Sequence, residues 1–142
     1  MITITAGAAS QLAITIPPSA TAQSGAAFAQ QPVIQLRDAA NNPVSQAGVV
    51  VTSTIQTGAG SLGGTLTATT NGSGVATFSN LSITGTVGDR TLLFAAAGYV
   101  SVASGTITIT AGPATQLTIT TQPSATAPWD SRARGSRSRL RR

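Results

Sequence analysis

The sequence predicts an all-β protein: an antiparallel β-sandwich of about seven or eight short strands in two sheets. Three observations carry this expectation. Apolar residues alternate with Thr and Ser over short runs, the period of a strand with one buried face. The chain is rich in Thr, Ala, Gly, Ser and Val and contains no Lys, Glu, His or Cys, a composition that favours a pleated surface over a helix. Clusters of Gly, Pro and Asn punctuate these runs at intervals suited to turns. A chain of 142 residues favours a single core.

The elements follow in order. Ile2-Thr3-Ile4-Thr5 alternates and is broken by Ala6-Gly7-Ala8-Ala9. Gln11 to Ile16 alternates again, with Leu12, Ile14 and Ile16 on one side, until Pro17-Pro18 removes two ladder donors. That fits a first strand at a sheet edge. Phe28 to Arg37 is expected as the next strand, with Ile34 and Leu36 facing inward, and residues 38–44 supply turn chemistry through Asn41, Asn42 and Pro43. Gly48 to Ile55 is the most β-prone run and suits a central strand, with a Gly-rich loop over 58–64 after it. Thr65 to Thr70 and Val75 to Phe78 flank Asn71-Gly72-Ser73-Gly74 and are expected to form a hairpin, whose second arm Leu81 and Ile83 extend. Thr91 to Ala96, with Leu92 and Phe94 on one face, and Val100 to Thr110 complete the set.

One stretch occurs twice. Ile2-Thr3-Ile4-Thr5-Ala6-Gly7, with Gln11-Leu12 and Pro18-Ser19-Ala20-Thr21-Ala22 after it, returns as Ile107-Thr108-Ile109-Thr110-Ala111-Gly112, with Gln116-Leu117 and Pro123-Ser124-Ala125-Thr126-Ala127. The offset, Ala6 to Ala111, is 105 residues and holds without a gap. Such a period is about the size of one sandwich domain and too long for a solenoid coil. The organisation expected from it has four parts: residues 1–5 as the last strand of a preceding repeat, 6–111 as one domain, 112–127 as the first strand of a following repeat, and 128–142 as an Arg-rich tail.

The net charge of +5 belongs to that tail. From Met1 to Pro128 the only charged side chains are Arg37, Asp38, Asp89 and Arg90, which cancel; the excess comes from Arg132, Arg134, Arg137, Arg139, Arg141 and Arg142 against Asp130. No apolar run is long enough to span a membrane, so no membrane insertion is expected. The N-terminus has no basic segment followed by an apolar stretch; any export signal is expected upstream.

The run Arg37-Asp38-Ala39-Ala40-Asn41-Asn42-Pro43-Val44, then Gly48-Val49-Val50-Val51, then Thr70 to Phe78, then Ala97-Gly98-Tyr99 resembles the bacterial immunoglobulin-like repeat of the invasin and intimin type. That family's pattern is an Asp with a Gly-Asn-Pro-Val turn, a Val-rich strand, a Thr-Asp-x-x-Gly-x-Ala hairpin and a closing Gly. The resemblance covers roughly residues 6–111. Asn41 replaces the Gly of the turn, and Asn71 replaces the hairpin Asp. The resemblance implies an Ig-like Greek-key sandwich without disulfide or core Trp. It also implies a role as a rod-building module of a large protein, extracellular or on the cell surface, whose partners are neighbouring Ig-like repeats.

Chemistry is narrowed by elimination. There is no histidine base and no cysteine nucleophile. Paired-carboxylate catalysis needs two acids about 5–10 Å apart, whereas Asp38 and Asp89 each stand beside an Arg and read as two solvated charge pairs at loop ends. Zinc wants Cys or His, and calcium wants several carboxylates, so Asp38 with Asn41 and Asn42 is a poor candidate and no metal or cofactor is expected. The Gly-rich loops at 58–64 and 71–74 lack the Lys and helix start of a phosphate cradle. The expectation is a non-catalytic structural or adhesion spacer.

The alternative is a binding module. It would take a glycan on a Thr-rich sheet face around Thr3, Thr5, Thr108 and Thr110, or nucleic acid through Trp129, Arg132, Arg134, Arg137, Arg139, Arg141 and Arg142, by phosphate neutralisation and stacking. Against the second form, the sequence departs abruptly from the repeat at Pro128, and its Ser-Arg and Gly-Ser dipeptides resemble a translated cloning polylinker. Finally, segments 2–5 and 112–121 duplicate strands already present. Unpaired alternating edges add to other chains, so self-association through 112–121 is expected.

Overall fold

A computed structural model describes residues 1–114 and 117–121. The chain divides after Gly112, and every described strand lies before that point. The described residues hold eleven strands and no helix: β1 (Gln11–Ile16), β2 (Thr21–Gln23), β3 (Val33–Arg37), β4 (Val50–Thr57), β5 (Ser61–Gly63), β6 (Thr67–Thr69), β7 (Val75–Thr77), β8 (Ser82–Thr84), β9 (Gly88–Ala95), β10 (Val102–Ala103) and β11 (Ile107–Thr110). They pair as a three-stranded sheet, β1-β3-β7, and a larger sheet, β2-β11-β9-β4-β6, in which β10 also pairs with β9; β5 and β8 form a separate ladder. All strand pairs are antiparallel except β2 with β11.

Alternation decides which side chains enter the core. Val51 and Ser53 of β4, Arg90, Leu92 and Phe94 of β9, and Ile107 and Ile109 of β11 are buried, while their neighbours Thr52, Thr54, Thr108 and Thr110 are exposed. Leu12, Ile34, Leu36 and Ala76 from the smaller sheet join Val51, Leu92, Phe94, Ile107 and Ile109 from the larger in one apolar cluster. Phe28, Phe78, Leu81 and Ile83 complete it, and the rings of Phe78 and Phe94 tilt by 54° at 5.2 Å between centroids. One cluster fed by two sheets is the packing of a β-sandwich, each such burial contributing roughly 1.5–3 kcal/mol.

Several expected elements differ. β1 does lie at a sheet edge, but Ile16 is exposed because the register slips between Ile14 and Ile16. The strand expected from Phe28 begins only at Val33; Ala27 makes an isolated bridge to Ser82 instead. The Gly-rich loop over 58–64 contains β5, and the final strand is split into β10 and β11.

The expected hairpin at 71–74 is not one. β6 pairs with β4 in the larger sheet and β7 with β3 in the smaller, so the turn carries the chain between sheets. Asn71 still makes the turn, its Oδ1 accepting from the Ser73 and Val75 amides at 2.9 and 3.1 Å. Likewise β8 does not extend that arm but pairs with β5.

Residues 1–10 carry no strand, and Ile2 and Ile4 are 86% and 82% exposed. Among 113, 114 and 117–121 there is again no strand.

Candidate functional site

The charged residues of the domain lie in two places, and neither is the solvated charge pair expected from the sequence. Asp38 follows β3 two residues after buried Leu36, so the strand's parity turns its side chain inward, and it is buried. Its Oδ1 accepts from the amides of Ala40 and Asn42 at 3.0 and 2.8 Å. Its Oδ2 accepts from the Gly7 amide at 2.8 Å and from Asn42 Nδ2 at 3.0 Å. These donors, the Asn42 side chain foremost and then the Gly7 and Asn42 amides, outweigh burial and hold the carboxyl at about 2, below its ordinary 3.8. Arg37 does not pair with it but donates to the Asn41 carbonyl at 2.8 Å.

Around this carboxylate the N-terminal segment docks. The Ser10 amide donates to the Arg37 carbonyl and Gln11 Nε2 to the Asp38 carbonyl, both at 2.8 Å, while the Ser10 carbonyl accepts from Val100 at 2.9 Å. Asn41 takes the left-handed conformation, φ 71°, that a tight loop over 38–42 requires. A carboxylate ringed by N–H donors is the reverse of a cation site, and no cluster of three acids occurs among the described residues.

Arg90 is the second. It shares the inward face of β9 with Leu92 and Phe94 and is buried. Its guanidinium donates to backbone carbonyls: Nε to Ala59, Nη1 to Asp89 at 2.9 Å, and Nη2 to Thr86 at 2.8 Å. The side chain thereby ties the 58–60 loop to the 85–87 loop and the start of β9. Gly58 is confined to glycine, since at φ 89° a Cβ would fall 2.3 Å from Arg90 Cδ. Asp89 accepts from Thr108 Oγ1 at 2.9 Å.

Of the Thr-rich face, Thr108 and Thr110 stand exposed on β11, whereas Thr3 and Thr5 lie in the strandless segment. The two sets are not joined in one sheet. Thr110 Oγ1 donates to the Ala22 carbonyl at 3.3 Å, so both β11 hydroxyls have partners within the sheet. A shallow depression of about 470 Å³ on the larger sheet is lined by Val50, Thr52, Ala95, Ala96 and Ala97; its walls carry no ionisable side chain. Trp129, Arg132, Arg134, Arg137, Arg139, Arg141 and Arg142 lie outside the described residues. No described helix is long and apolar enough to cross a membrane.

Both buried polar anchors escaped the sequence reading, although the signal was present. Extending the Leu92/Phe94 face by one step back reaches Arg90, and extending Leu36 by one step forward reaches Asp38. No protein-family model matches the chain, and the curated proteins contain no significant match.

Proposed function

We propose that residues 6–111 form one immunoglobulin-like unit of a tandem array, of the bacterial invasin and intimin type, serving as a non-catalytic spacer or adhesion module of a large exported protein. The observation that carries this is the register of the duplication. Ile107–Thr110 is an integral strand of the fold, while the same four residues at 2–5 have no strand of their own. A unit flanked by the end of its predecessor has this form.

The strand orders support the Ig-like part of the reading. Counting β1, β3, β4, β7, β9 and β11 as A, B, C, E, F and G gives A-B-E in one sheet and G-F-C in the other, the division that Ig sandwiches use. The charged residues of the domain support the non-catalytic part, because Asp38 and Arg90 are spent on holding backbone. Exposed Leu117 and Ile119, at 102% and 68%, support self-association through 112–121 when no following unit covers them; light scattering on the chain with and without 112–142 tests that point.

The main test is an array lengthened by successive direct copies of residues 6–110. Small-angle scattering should show the maximum dimension rising linearly with copy number. Copies that collapse into one globule would contradict the array, and saturable hydrolysis or group transfer by the unit would contradict its non-catalytic role.

A further inference from the structure

We propose that the Asp38 carboxylate is the clasp that fixes each unit of the array to the one before it; the inference rests on the array reading above. The structure contains both halves of such a junction, one at each end of the domain, and the duplication says how they join. At the exit, the Thr110 carbonyl accepts from the Ser24 amide at 2.9 Å, and a Cβ on Gly112 would lie 3.1 Å from the Ser24 carbonyl oxygen. At the entrance, the Gly7 amide donates to Asp38 Oδ2, and Ser10 and Gln11 are held by the carbonyls of Arg37 and Asp38.

Thr110, Ala111 and Gly112 are the sequence equivalents of Thr5, Ala6 and Gly7. In an array these are one and the same tripeptide. Its Thr carbonyl is bound by the Ser24 amide of the preceding unit, and its Gly amide by the Asp38 carboxylate of the following one. Only an alanine separates the two anchors, and two Cα steps span at most about 7 Å. The glycine serves both neighbours: its missing side chain avoids Ser24 behind, and its N–H reaches Asp38 ahead.

The surface beside each anchor fits the same partner. Val87, adjoining the residue that pairs with Ile109, is 63% exposed at the exit, and Val100, bonded to Ser10, is 65% exposed at the entrance. These give the junction apolar area to cover. Asp38 is suited to the role because its loop has already oriented it: Ala40 and Asn42 occupy Oδ1 and one side of Oδ2, which leaves Oδ2 facing the incoming glycine.

The test inserts one further copy of residues 6–110 after Thr110 of the full chain. The sequence has no native cysteine, so a spin label at Thr54→Cys, an exposed position of β4, can be placed in each copy and the distance between copies read by pulsed electron resonance. A single narrow distance is expected. Asp38→Ala in the second copy should abolish the narrow peak, while Asp38→Ala in the first copy, which costs its own loop the same bonds, should leave it. A broad distribution in the parent, or equal behaviour of the two variants, would overturn the clasp while leaving the array intact. If circular dichroism shows that the inserted copy does not fold as the single unit does, the array reading falls and takes the clasp with it.

Discussion

The same four residues, Ile-Thr-Ile-Thr, occur at 2–5 and at 107–110 and have opposite fates. At 107–110 they form β11 between β2 and β9, with Ile107 and Ile109 each 1% exposed. At 2–5 they form no strand, and Ile2 and Ile4 stand in solvent. Intrinsic propensity is identical by definition, so the difference is entirely tertiary. A strand here is made by two partner ladders and a core to bury its isoleucines in, and β-propensity measures fitness for that environment and not a backbone preference.

The comparison can be broken most forcefully at the isoleucines. Ile109→Ala should cost about 2–5 kcal/mol, through lost burial and the cavity left behind, read as a lower urea midpoint. Ile4→Ala should shift stability by less than about 0.5 kcal/mol, the ordinary value for a surface change. Equal effects would mean that 2–5 occupies a packed site.

The arginines make the next pair. Arg90→Ala leaves the carbonyls of Ala59, Asp89 and Thr86 without their donor inside the fold, at an expected cost of about 2–3 kcal/mol. Arg37→Ala removes a single exposed bond to Asn41 and should cost less than about 1 kcal/mol. Denaturant titration of both variants checks the ranking.

The glycines of the inter-sheet turn sharpen it further. Gly74 has φ 76°, and a Cβ there would meet the Val44 carbonyl oxygen at 1.8 Å, whereas Gly72 faces open space. Gly74→Ala should destabilise by about 1 kcal/mol or more and Gly72→Ala by almost nothing.

The remaining expected effect is a pH dependence. Asp38 has its folded value lowered to about 2 from 3.8, so the unfolded chain takes up the proton first on acidification. The stability it contributes is therefore complete above about pH 4 and is lost as pH falls toward about 2. Asp38→Asn should be less stable near neutrality and flatter in that window, by thermal melts at several pH values. An unchanged slope would mean that the carboxylate is not held by its ring of donors.

The fold class was legible because alternation is strong: Leu12, Ile34, Leu36, Leu92 and Phe94 are all buried as their parity requires. Pairing was not legible at the Asn71–Gly74 turn, because a turn's local chemistry is the same whether its arms join one sheet or two. β2 and β5, three residues each, are too short to show a period. In the sequence Asp38 and Arg90 read as solvated charges, yet a charged side chain on the inward face is retained when backbone groups satisfy it. Asp38 depends on Gly7, 31 residues away, a contact that no local pattern displays.

The most direct measurement compares two truncations by thermal unfolding. Residues 6–112 keep β11 and lose the first Ile-Thr-Ile-Thr; residues 1–106 keep the first and lose β11. The account predicts a cooperative transition close to that of the parent chain for 6–112 and none for 1–106. A folded 1–106, or an unfolded 6–112, would contradict the placement of one self-contained unit between residues 6 and 111.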